Sequence, residues 1–252
     1  MTNDILPLPK AQGMPRPSVS RAQVQGGVLW LILGCLVFVL SGPFDPLSGS
    51  LAAALATGLF GLSGAVALWA MGPLGYPHRT FGAPNSITFL RLALLCVLSV
   101  ALLRAGMLTQ MGYAVFGIAV LALSLDGLDG WLARRNGLST AFGARFDMEV
   151  DAALACMLSL ILLMAGRVGI EVLILGFSRY AFLLAGIWLT WLRAPLPERF
   201  GRKVVCVLQI GALCVLVLPG LPPLLAKVIS LGAAGLLTWS FGRDVLYLAA
   251  RR

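Results

Sequence analysis

The sequence predicts an all-α integral membrane protein, and three observations carry that expectation. The chain of 252 residues is 59% apolar with only 12% charged residues, and its mean hydropathy is +0.93. Its apolar residues are also gathered into about eight runs, most of them near the length of a bilayer crossing. A soluble domain of this size has no interior large enough to hide so much apolar surface.

Taken in order, residues 1–25 carry Pro7, Pro9, Pro15, Pro17, Lys10, Arg16 and Arg21 without apolar periodicity, and read as a mobile polar tail. The run from Gly26 to Leu40 is short for a span, although tilt can carry it across. A cleaved signal peptide is the rival reading, and the long polar lead-in favours a retained helix. Further apolar runs occupy roughly 51–71, 86–104, 111–133, 140–165, 170–192, 204–219 and 223–249. Small residues at Ala53, Thr57, Gly61 and Ala65 recur at helical spacing, which points to close helix packing within the monomer.

Orientation follows from the basic residues, because cytoplasmic loops retain Lys and Arg. Arg79, Arg134, Arg135, Arg193, Arg199, Arg202, Lys203, Arg251 and Arg252 all fall on the side of the N-terminal tail. The opposite ends offer Arg104, Arg167 and Lys227. The formal charge of +9 therefore lies in short loops between spans, where an anionic lipid face and phosphate-bearing substrates explain it better than nucleic acid. Cys35, Cys96, Cys156, Cys206 and Cys214 lack CxxC spacing and read as small apolar fillers. His78 is the only histidine, which excludes a His-rich zinc site and leaves a Ser-His-Asp triad dependent on one loop residue.

One stretch departs from this apolar background. Residues 126–151 hold five of the ten acidic residues of the chain. Asp126, Asp129, Gly130, Ala133 and Arg134 fall at i, i+3, i+4, i+7 and i+8, one face of a helix, and Gly143, Asp147 and Asp151 fall at i, i+4 and i+8 on a second. Arg135, Asn136, Gly137 and Ser139 read as a helix stop, a turn and a new N-cap. Counted from Gly137, Asp126 lies 11 residues back and Asp147 lies 10 residues on, so an antiparallel hairpin sets them at nearly one depth. Carboxylates gathered at a membrane border are costly unless paired or bound to metal, and the expectation is that cations, rather than protein groups, offset them.

The full pattern is Asp126, two residues, Asp129-Gly130, two residues, Ala133-Arg134, eight residues, Gly143, three residues, Asp147, three residues, Asp151. It resembles the motif of the CDP-alcohol phosphotransferases, also called CDP-alcohol phosphatidyltransferases, with every position filled. Upstream, Asn85, Thr88 and Arg91 are similar to the Asn-x-x-Thr-x-x-Arg opening of that family's first core helix. The resemblance implies a six-helix CDP-alcohol phosphotransferase core with about two additional N-terminal transmembrane helices. The organisation becomes a polar cytoplasmic tail over 1–25, two helices and a linker over 26–83, and a catalytic membrane domain over 84–252.

The same resemblance implies the chemistry. The family moves a substituted phosphate from a CDP-linked donor, usually CDP-diacylglycerol, to an alcohol, with release of CMP. Asp126, Asp129, Asp147 and Asp151 would hold two divalent cations, Mg2+ or Mn2+, and Asp151 would also be the base. Thr88, Asp129, Gly130, Ala133, Arg134 and Gly143 would hold the cytidine nucleotide, and Asn85 either caps its helix or contacts the same region. The resemblance also suggests a homodimer, while the side on which the basic residues fall turns the aspartate hairpin to the cytoplasm, with a bacterial inner membrane as the expected location. Mg2+ and Mn2+ prefer oxygen ligands, and in-line phosphoryl transfer needs mainly positioning and charge neutralisation, so a site without histidine suffices.

Acceptor selection is less sharply written in the chain. Arg145, Arg179, Arg202 and Lys203 lie in or at the ends of spans and form the candidate acceptor-binding set, which favours a phosphate-bearing alcohol such as glycerol 3-phosphate. The competing reading pairs some of these arginines with Glu149, Glu171 or Asp244. A divalent-cation transporter is the other functional class that intramembrane acids can indicate.

Overall fold

The computed structural model describes residues 21–42, 51–74, 76–135, 138–194 and 200–250, apart from the side chains of 133, 134, 193, 200, 202 and 203. Among the described residues eight α-helices follow in order: α1 (Arg21–Ser41), α2 (Leu51–Ala70), α3 (Ala83–Leu103), α4 (Leu108–Arg135), α5 (Ala141–Met164), α6 (Val172–Trp188), α7 (Phe200–Val217) and α8 (Pro223–Ala249). They match the eight apolar runs of the sequence, and α1 takes in the last five residues assigned to the polar tail. Five of them (α1 to α4 and α8) are long and apolar enough to cross a bilayer, while α6 and the apolar part of α7 are shorter. The protein is an all-α membrane protein.

α3 is the axis of the bundle. It is buried on almost every side, from Pro84 to Ala101, and packs against α1, α2, α4 and α5. A continuously apolar sequence such as LALLCVLSVALL suits that position, since no face of it needs water or lipid. On one side the α1–α2 hairpin docks through Phe60 and Phe89, both fully buried. The Trp30 indole leaves no room for a Cβ at Gly64 and donates to Phe60 O at 3.4 Å. Gln25 Oε1 accepts from Phe81 N at 3.1 Å and ties α1 to the start of α3. On the other side α5 packs on α3 and α6, and α7 and α8 close the bundle against α4, α5 and α6. In lipid such contacts stabilise mainly by close packing, because acyl chains are as apolar as leucine.

The small-residue stripe of α2 is a correction. Ala53 of that stripe is buried, but the packed face continues through Ala52, Ala56, Phe60, Gly64 and Ala67, whereas Ala65 is exposed and nothing lies within contact of a Cβ at Gly61. The two rows are neighbours on the helix, and the one carrying the Phe60 ring is the one that turns inward.

Candidate active site

Three helix ends build the site. Gly82, at φ +78°, turns the chain into α3 and serves as its N-cap, a backbone conformation that glycine adopts without strain. Asn85 is therefore inside the first turn and not the cap. Its Nδ2 donates to Phe81 O at 2.6 Å and to the Tyr76 hydroxyl at 2.9 Å, and that hydroxyl donates onward to Phe81 O at 2.7 Å. Burial pushes the Tyr76 phenol above its ordinary range, with the Asn85 hydrogen bond pulling the other way. The N-cap of α5 is Thr140 rather than Ser139: its side chain accepts from Gly143 N at 2.9 Å. Asn136 and Gly137, expected to form the turn, lie outside the described residues. Phe142 stacks on Phe146 with centroids 5.7 Å apart, Phe146 meets Phe89 in a tilted contact at 5.1 Å, and the series holds the start of α5 against α3.

The four aspartates meet as their spacing requires, but around a protein group. Arg91 on α3, 1% exposed, pairs with Asp126 at 3.1 Å and Asp129 at 3.2 Å through Nη1, with Asp147 through the same nitrogen, and with Asp151 through Nη2. Thr88, one turn before it, donates to Asp129 Oδ2 at 3.0 Å. The expectation that only cations offset the acids is corrected here. Among the described side chains, one guanidinium faces four carboxylates, which leaves three formal negative charges without a described protein counter-ion in this cluster. Asp126, Asp147 and Asp151 are each about one-third exposed, so the cluster is open on one side.

Ligand atoms of Asp126, Asp129 and Asp147 lie within 4.8 Å of one another. An all-oxygen set at that spacing fits a hard divalent cation such as Mg2+ or Mn2+. Beside it is a cleft of about 190 Å³, and Thr88, Asp129, Gly130 and Gly143 all line it, together with Asn85 and Asp147. A Cβ at Gly143 would stand 3.0 Å from Asn85 Oδ1 and 3.1 Å from Thr140 Oγ1, which explains glycine there.

The candidate acceptor cations do not gather at one place. Arg145 faces an apolar groove between α2 and α5, beside Trp69 and Tyr180. Arg179 pairs with Glu149 at 2.7 Å, as the competing reading has it, and lines a different cavity that it shares with Asp151. The side chains of Ala133, Arg134, Arg202 and Lys203 lie outside the described set, although their backbones belong to the end of α4 and the start of α7. The residue to which sequence reasoning assigned no role is Arg91. Its signal was present, because an arginine in the middle of an apolar span is functional by default.

The comparison with protein families decides what this arrangement belongs to. Residues 81–240 match the CDP-alcohol phosphatidyltransferase family. The chain belongs to that family. As a CDP-alcohol phosphatidyltransferase it is an enzyme, which excludes the transporter reading, and α1 and almost all of the linker to α3, with α2 between them, precede the matched region. Over 178 residues it is 31% identical to a Mycobacterium tuberculosis protein named probable phosphatidylglycerophosphate synthase, covering 69% of this chain and 84% of that one. Over 138 residues it is 30% identical to the CDP-diacylglycerol–glycerol-3-phosphate 3-phosphatidyltransferase of Rickettsia felis, covering 54% of this chain and 74% of that one. The Rickettsia typhi protein of the same name is 29% identical over 138 residues. No solved structure matches this phosphatidyltransferase.

Proposed function

We propose that this phosphatidyltransferase moves the phosphatidyl group of CDP-diacylglycerol to glycerol 3-phosphate, giving phosphatidylglycerophosphate and CMP. The observation that carries the reading is the convergence of Asp126, Asp129 and Asp147 within 4.8 Å at the edge of the cleft. The names of the similar proteins support the acceptor.

In this reading the cytidine nucleotide occupies the cleft lined by Thr88, Gly130 and Gly143, with Ala133 and Arg134 beside it, while the acyl chains remain in the bilayer. Two divalent cations held by Asp126, Asp129, Asp147 and Asp151 would neutralise the pyrophosphate and the charge that builds up on the phosphorus oxygens. Arg91 holds the four carboxylates in register from beneath. Asp151 takes the proton of the attacking hydroxyl; the hydroxyl oxygen bonds to the lipid-side phosphorus, and the bond from that phosphorus to the CMP oxygen breaks. Arg179 meets the acceptor phosphate. The excess of basic residues at the hairpin's end of the bundle supports a site facing the cytoplasm, where nucleotides and Mg2+ are available, and in this reading the membrane is a bacterial inner membrane.

The test is to incubate purified protein with CDP-diacylglycerol and, in turn, glycerol 3-phosphate, inositol phosphate, inositol, serine and choline. CMP and phosphatidylglycerophosphate are expected with glycerol 3-phosphate, and EDTA should stop turnover until Mg2+ or Mn2+ is restored. CMP release with a different acceptor alone would overturn the acceptor assignment, and turnover indifferent to EDTA would overturn the metal one.

A further inference from the structure

Asp151 faces two ways. Besides Arg91, it borders a cavity of about 340 Å³ enclosed by α5, α6, α7 and α8. Most of that cavity is apolar, with Phe182, Val205, Ile210 and Leu237 among its walls, but a polar group gathers in it: Asp151, Ser178, Arg179, Ser240 and Asp244. Ser240 and Asp244 stand one turn apart on α8 and are only 4% and 6% exposed. A buried carboxylate on a membrane helix is costly, and such residues commonly mark functional sites; Asp244 lies beyond residue 240, where the family match ends.

We infer that Asp244 selects the acceptor alcohol, by accepting a hydrogen bond from the hydroxyl that does not react. The inference rests on the proposed transfer to glycerol 3-phosphate. Charge alone orients such a molecule in this cavity. Its phosphate is repelled by Asp151 and Asp244 and drawn to Arg179, the cation in the described lining of the cavity, whose Nη2 also holds Glu149. The glycerol end is then left beside the two carboxylates. One hydroxyl gives its proton to Asp151, and the middle hydroxyl reaches Asp244. Asp244 already has an interaction partner in the fold, but a carboxylate offers about four acceptor positions and can serve a partner and a ligand together. An alcohol without the middle hydroxyl would leave that buried acceptor short of a donor, which is how polar sites reject close analogues.

The experiment compares kcat/KM for glycerol 3-phosphate and for 3-hydroxypropyl phosphate, with the full-length protein in CDP-diacylglycerol mixed micelles. The second acceptor keeps the phosphate and the reacting primary hydroxyl and lacks the middle one. The wild type is expected to prefer glycerol 3-phosphate by at least about tenfold, Asp244→Asn by less, and Asp244→Ala by no more than about threefold. The KM for CDP-diacylglycerol should stay within about twofold throughout, since the donor makes no contact with Asp244 in this arrangement. A wild-type preference retained in Asp244→Ala would return Asp244 to a purely structural role. If the variants do not fold, the wild-type ratio still decides, because a value near one overturns the inference. No CMP release from the wild type with either acceptor would instead overturn the proposed reaction itself.

Discussion

Asp147→Asn should lower CMP release by more than about a hundredfold while leaving the helical bundle intact. Changes in the shell outside a metal's ligands already cost about ten- to a hundredfold in affinity or activity, and Asp147 stands within the converging set itself. The substitution keeps the side-chain volume and removes one negative charge from a group of four that surround a single guanidinium. Arg91 retains Asp126, Asp129 and Asp151, so the mutual repulsion falls and the packing of α5 on α3 is untouched. Melting temperature in detergent should therefore be unchanged or raised. Full activity in this variant would remove Asp147 from the ligand set, and a large drop in melting temperature would show that its work is structural.

Arg91→Met has the opposite signature, with its main effect on stability. The side chain is buried and is the common partner of all four aspartates. Removing one member of a buried ion pair costs about 3–5 kcal/mol, because the remaining charge is left without compensation. Three of the carboxylates here are about one-third exposed, so water offsets part of the loss and the lower end, about 3 kcal/mol, is expected. For a chain of this size that corresponds to a fall of roughly 6–12 °C in melting temperature. Mg2+ should restore more stability to the variant than to the wild type, since a cation that binds only the folded state stabilises it by mass action. A melting temperature equal to that of the wild type would mean that the aspartates do not depend on Arg91.

Much of this was readable from residue order. Eight apolar runs gave eight helices, and the i, i+4, i+8 spacing of Gly143, Asp147 and Asp151 gave one face of α5, because helical periodicity is a local property. Rotation of one helix against another is not local. Arg91 is separated from Asp126 by 35 positions and from Asp151 by 60, and only the packing of α3 between α4 and α5 shows that its side chain reaches both. The same limit explains Arg145 and Arg179. Both are cations near the hairpin in sequence, yet Arg145 faces outward from α5 toward α2, and Arg179 lies across from Glu149. The inward row of α2 depended on where Trp30 of α1 would fall. At the start of α5, Ser139 and Thr140 are both good caps by residue type, and the backbone alone decides between them.

Binding of Mn2+ to the purified protein, followed by the loss of the free ion's paramagnetic resonance signal, tests the central claim without relying on turnover. The account predicts saturable binding of about two ions per chain by the wild type, displaced by Mg2+ and greatly weakened in Asp147→Asn, as expected of a paired-cation carboxylate site. Binding no greater than that of the detergent alone, or binding that Asp147→Asn leaves unchanged, would contradict it.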